Sequence, residues 1–107
     1  MLHKFKIGKV SQLLGVAPET IRYYERKGVV KPKTEESGHR YYDITDVCLM
    51  GKARAYMQYG FTLEQARALL ECADTDGILQ IYGQRAEEIE RELEKGFQTL
   101  KSIRRRQ

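Results

Sequence analysis

Residues 14–31 read LGVAPETIRYYERKGVVK, and this stretch decides the fold. It joins a glycine-bearing turn to a short helix whose outward face is basic and aromatic, which suits a helix laid against nucleic acid. Pro18 opens the helix at its first position, where a missing N–H costs nothing, and Gly28 closes it in the left-handed conformation. With Ile21 at the centre of the inward face and about 100° per residue, Glu19, Arg22, Tyr23 and Arg26 fall outward, with Tyr24 and Lys27 on the shoulders. Val16 and Ile21 dock the helix. An arginine fork pairs bidentately with phosphate or guanine, and a tyrosine hydroxyl bonds phosphate oxygens while its ring covers sugar.

Upstream, residues 4–6 (KFK) read as a brief strand. Val10, Leu13 and Leu14 at helical spacing then predict a first helix over 8–14, ended by Gly15. Ala17 is a weak N-cap for the next helix, because its methyl accepts no hydrogen bond. Downstream, Pro32 bars continuation, and the Ser37-Gly38 turn between polar and aromatic flanks predicts a two-stranded hairpin. Asp43 caps a third helix with Asp46 in its first turn; Val47, Met50, Ala53 and Met57 form its inward stripe, and Lys52, Arg54 and Tyr56 lie beside or away from it. Gly60 ends that helix. Thr62 and Gln65 make a capping box with a Phe61–Ala66 staple, and a fourth helix runs to about Cys72, burying Leu63, Ala66, Leu69 and Leu70.

Asp74-Thr75-Asp76-Gly77 reads as a linker. Beyond it Tyr82, Ala86, Ile89, Leu93, Gly96, Leu100 and Ile103 are spaced alternately four and three apart, a heptad seam with Gly96 as its weak member. Glu87 and Arg91 support the helix at i,i+4. So narrow a stripe has nothing to bury against within the chain and needs a partner, most simply its own copy. Heptads leave the orientation open. Arg104, Arg105 and Arg106 either touch DNA or complement the negative end of the helix.

The chain has 107 residues, room for one compact domain plus an extension and hardly for a second core. It is 41% apolar and 32% charged, and a mean hydropathy of −0.60 indicates a large exposed surface. Residues 1–60 hold 11 Lys and Arg against 6 Asp and Glu, whereas residues 61–107 hold 8 against 9, so basic charge gathers around the reading helix. Cys48 and Cys72 are far from any C-x-x-C spacing and predict neither a disulfide framework nor a soft-metal site. Ser11, Ser37 and Ser102 have no His/Asp arrangement around them, and His3 and His39 lie at a terminus and a hairpin tip. Neither an enzyme nor a cofactor is expected. Without a secretory signal, a membrane-spanning run or a lipidation motif, the expected location is the cytoplasm.

TIRYYERKGVV at 20–30, preceded by IGKVSQLLGV at 7–16 and followed by SGHRYYDITDV at 37–47, closely resembles the DNA-binding domain of the MerR family of transcription regulators. The match covers about residues 5–73. It implies a mainly α fold: a winged helix-turn-helix domain over 4–73, a linker at 74–77 and an antiparallel coiled-coil dimerisation helix over 78–107, with no effector domain in this chain. The hairpin becomes a first wing, with His39 and Arg40 at its tip reaching the minor groove or its phosphates and Tyr42 packing back. Arg54 becomes a phosphate contact from a second wing. Candidate DNA contacts are then Pro18, Glu19, Thr20, Arg22, Tyr23, Tyr24, Arg26, His39, Arg40 and Arg54, and candidate dimer contacts Tyr82, Ala86, Ile89, Leu93, Leu100 and Ile103.

The resemblance also implies a homodimer on an inverted-repeat operator in double-stranded DNA, between promoter elements set too far apart. An effector, unknown here, makes such a dimer kink and untwist the spacer so that RNA polymerase engages both elements. Metal-sensing members take thiolates from the start of the dimer helix and from a loop after its end; here Ile78 or a neighbour stands at the first place, and the chain stops at Gln107 at the second. Ala17 and His39 depart from the Ser or Thr and the Tyr more common in the family. Two rivals remain: an architectural or recombination protein of winged fold, and a coiled-coil interaction module.

Overall fold

In chain order the elements are α1 (Ile7–Leu14), α2 (Pro18–Arg26), β1 (Lys33–Thr34), β2 (Arg40–Tyr41), α3 (Ile44–Gln58), α4 (Leu63–Glu71) and α5 (Thr75–Arg105). They come from a computed structural model that describes residues 3–72 and 74–107. The chain divides into two compact units, Met1–Leu70 and Glu71–Gln107. The sequence-based domain boundary at residue 73 lies outside the described residues.

In the first unit, α1 packs on α2 and α3 around Val10, Ile21, Met50 and Ala53, all fully buried. α1 begins at Ile7, one residue before the expected start, and of its apolar residues Val10 is buried, Leu14 half-buried and Leu13 49% exposed, so the stripe is narrower than its spacing predicted. Gly15, at φ 68°, ends α1 with its N–H on the Ser11 carbonyl (2.9 Å), and the Ser11 hydroxyl donates to the Val16 carbonyl. A Cβ resists that left-handed conformation, which is why the helix-to-helix turn falls at a glycine. Ala17 gives α2 no side-chain cap.

The expected strand at 4–6 is a single antiparallel bridge, Phe5 to Tyr42. β1 and β2 pair antiparallel in the register Lys33 to Tyr41 and Thr34 to Arg40. Their connection is closed by the Glu35 N–H to the His39 carbonyl (2.9 Å), with Gly38 at φ 89°. α3 starts in a full capping box, in which Asp43 accepts from the Asp46 N–H and Asp46 from the Asp43 N–H, each at 2.9 Å. Thr62 and Gln65 form the equivalent box at α4 (3.1 and 2.8 Å), and each box is worth about 1 kcal/mol. Phe61 is buried with its ring edge-on to Tyr56 at 6.5 Å.

The second unit corrects the expected linker. Asp74 is the N-cap of α5, accepting from the Gly77 N–H at 2.6 Å, and Thr75, Asp76 and Gly77 are the first turn of a 31-residue helix. An acid that satisfies an orphan amide three residues on is a cap, although the same residue types compose loops. A Cβ on Gly77 would stand 2.7 Å from the Cys72 sulfur, so glycine permits that approach. Cys72 is half-buried with its sulfur 3.5 Å from the Asp74 carbonyl, and Cys48 is exposed. No residue of α5 is buried. Among the described residues, no helix is long and apolar enough to cross a membrane.

Candidate nucleic-acid interface

The outward face of α2 carries an ion-pair fan. Glu19 accepts from Arg22 at 3.3 Å through one oxygen and from Arg26 at 3.2 Å through the other, all three side chains being at least half exposed. The hydrogen bonds from Arg26 and then Arg22 hold the Glu19 carboxyl below the usual carboxylate range. Tyr23 is half-buried at the edge of the core, with Arg26 and Lys27 about its ring at 6.0 and 5.9 Å. Pro18 is exposed at the helix start and Thr20 half-buried.

Tyr24 departs from expectation. It is 3% exposed and part of the core, because a residue three positions after Ile21 lies close enough to the inward direction for a long ring to swing under the helix. Burial raises its hydroxyl's pKa, opposed by the charge of Arg54. Arg54 itself is exposed on α3.

Arg40 is also relocated. It stands on β2 opposite Thr34, behind the 35–39 loop and not at its tip, and it donates to Glu25 of α2 at 2.8 Å. The second Glu25 oxygen accepts from the Tyr42 hydroxyl at 2.6 Å. The Glu25 side chain is 7% exposed while Arg40 is 64% exposed, so a sunken carboxylate holds a surface guanidinium. Burial, and then Glu25, push the Tyr42 hydroxyl up to about 12. His39 remains in the loop, its ring nitrogen 3.0 Å from the Ser37 hydroxyl.

These side chains meet on one surface. A cleft is lined by Lys6, Ile7, Arg22, His39, Arg40 and Tyr42, and an adjoining groove by Arg22, Glu25, Arg26, Pro32 and Arg40. Helix and wing therefore share Arg22 and Arg40 in a continuous basic face. Arg54 lines neither. Sequence reasoning missed Lys6 and Glu25. Glu25 carried a signal, since a carboxylate four residues after Ile21 falls on the inward face and requires a buried partner.

On α5 the seam residues Tyr82, Ile89, Leu93, Leu100 and Ile103 are 36%, 37%, 67%, 42% and 56% exposed, and Ala86 is exposed too. Leu79 and Phe97, which the heptad reading left out, are 61% and 53% exposed. A shallow groove runs along Ile89, Glu92, Leu93, Gly96, Phe97 and Leu100. Charge is unevenly spread along the helix: Glu87, Glu88, Glu90, Glu92 and Glu94, with Arg85 and Arg91 among them, precede Lys95, Lys101, Arg104, Arg105 and Arg106, which have no acid among them.

Residues 5–72 match the family model described as MerR HTH family regulatory protein. Over 74 residues the chain is 39% identical to the mercuric resistance operon regulatory protein of Bacillus cereus, an alignment covering 68% of this chain and 56% of that relative's length. In fold it is similar to the N-terminal part of MtaN, the multidrug transporter activator of Bacillus subtilis, with a TM-score of 0.80 at 20% identity over 95% of this chain and 96% of that one. It is also similar to HiNmlR, a MerR family regulator lacking the sensor domain and bound to promoter DNA, with a TM-score of 0.67 at 16% identity over 92% and 79% of the two chains. The match to the family model covers more than half of the chain and includes α1, α2, the hairpin, α3 and α4, so the protein belongs to the MerR family of helix-turn-helix regulatory proteins.

Proposed function

We propose that this chain is a sequence-specific transcription regulator that binds double-stranded promoter DNA as a homodimer on an inverted-repeat operator. The observation that carries the reading is the shared basic face: Arg22 and Arg26 project from a helix of a size the major groove admits, and Arg40 and His39 of the wing line the same cleft as Arg22. The same fold sits on promoter DNA in HiNmlR, and the Bacillus cereus relative regulates a resistance operon.

Two features support the homodimer. The seam of α5 is exposed along its length, and antiparallel pairing of two copies sets the glutamate-rich half of one helix toward the Lys- and Arg-rich half of the other. Parallel pairing would set like charges together. In this reading the dimer distorts the spacer for RNA polymerase in the cytoplasm, and an effector acts by binding one dimer state more tightly than the other.

Selection of bound sequences from random duplex DNA tests the reading. An inverted repeat with one fixed half-site spacing is the expected result. No enriched sequence, or a lone half-site without symmetry, overturns it.

A further inference from the structure

Glu25 lies between the two parts of the basic face. It belongs to α2, its side chain is 7% exposed, and its two oxygens are occupied by two residues of the wing: Arg40 at 2.8 Å and Tyr42 at 2.6 Å. The arrangement is directional. Tyr42 is 2% exposed and anchored by its backbone to Phe5, so its hydroxyl fixes the carboxylate from below. Arg40 is held from above, on the solvent side.

The hairpin itself is weakly determined. Two residue pairs join its strands, and the loop from Glu35 to His39 adds short-range bonds that do not reach α2. A ribbon of two pairs is marginal in water and takes its position from what it is tied to. The tie of β1 through Lys33 to Asp46 leads to α3. The Glu25 contacts lead from the strand end to the helix that carries Arg22 and Arg26.

We propose that Glu25 is a positioning residue for DNA recognition: by holding Arg40 on one oxygen and Tyr42 on the other it latches the wing to α2, and discrimination between operator and other DNA depends on that latch. The inference rests on the DNA-binding reading above and adds a residue that itself need not touch DNA. A carboxylate beside a phosphate-facing surface ordinarily weakens binding, so its presence there has to be offset by what it orients. A guanidinium has donors in a planar fork, and one spent on Glu25 leaves others for a phosphate in a fixed direction. The pair also carries no net charge. Arg40 so held therefore contributes geometry to the complex while adding little to non-specific attraction.

The test compares the full chain with Glu25→Gln, Tyr42→Phe, Arg40→Gln and the double variant Glu25→Gln/Arg40→Gln. Binding to the selected operator and to a scrambled duplex is measured over a range of salt, with thermal melting as the check on folding. For Glu25→Gln, binding to the scrambled duplex is expected to hold or rise, the operator-to-scrambled ratio to fall on the order of tenfold, and the salt slope to steepen by about one as Arg40 loses its counter-charge. Tyr42→Phe keeps its ring in the core and loses part of the ratio. The double variant should be no worse than Arg40→Gln alone, because Glu25 acts through Arg40.

An unchanged ratio in Glu25→Gln overturns the latch, as do additive losses in the double variant or an equal weakening on both duplexes. If Glu25→Gln melts below the assay temperature, Tyr42→Phe decides, and a wild-type ratio there overturns the latch. A wild-type chain that binds both duplexes alike defeats the DNA-recognition reading itself, a result visible before any variant is made.

Discussion

The Lys33 ammonium lies 2.8 Å from both carboxylate oxygens of Asp46, a residue only 3% exposed. Asp43 adds a second carboxylate at 3.6 Å. Burial is the largest single influence and opposes the Lys33 charge, but the hydrogen bonds and charges of Asp46 and Asp43 together outweigh it and raise the pKa. The pair fastens β1 to the start of α3. Lys33→Met leaves a buried acid without its cation, a loss of roughly 2 kcal/mol once the partial exposure of Lys33 is allowed for. A lower urea midpoint with unchanged slope is the expected result.

Tyr42 gives a pH signature. Its hydroxyl is pushed up to about 12 from an ordinary 10.0, by burial first and then by Glu25. A group harder to deprotonate in the folded chain contributes stability that is fully present below its unfolded pKa and is lost as pH rises through the folded one. The window is therefore about pH 10 to 12. Tyrosinate absorbance should lose an ionisation near its upper end in Tyr42→Phe, while Tyr24, also raised by burial, still ionises late in both chains, and the alkaline fall in melting temperature should be shallower in that variant.

Arg22 lines both clefts of the basic face. Arg22→Ala should weaken operator binding on the order of tenfold and reduce the salt slope by about one. Glu19→Gln releases Arg22 and Arg26 together, and should tighten binding to arbitrary duplexes while altering the selected bases if Glu19 accepts from cytosine. Anisotropy titrations on both duplexes measure each effect.

Leu93 is 67% exposed within the α5 groove. Leu93→Asp puts a carboxylate into the seam beside Glu92 and Glu94, and should convert a species of twice 12.5 kDa to one of 12.5 kDa in sedimentation equilibrium. Melting of the Met1–Leu70 unit should change little, since no core residue of that unit is altered.

Local chemistry made most of the fold legible. The Thr62–Gln65 and Asp43–Asp46 boxes and the glycines at 15, 28, 38 and 60 act within a few residues of themselves, so their effect can be read along the chain. The misplacements arose where a distant group decides. Tyr24 sits about 60° from Ile21 around the helix, a direction that propensity leaves undecided and the length of a tyrosine ring settles toward the core. The family resemblance sets Arg40 at the wing tip; in this chain the loop closes between Glu35 and His39, and the ion pair of Arg40 lies 15 residues back in the chain. Asp74 and Gly77 are residues of loops and of caps alike, and only the amide between them separates the two.

Arg22, Arg26 and Arg40 each already grip a carboxylate belonging to the same molecule. In the proposed complex an arriving duplex therefore meets guanidinium groups already tethered in one arrangement, and takes up the spare donors of each fork while Arg40 stays on Glu25.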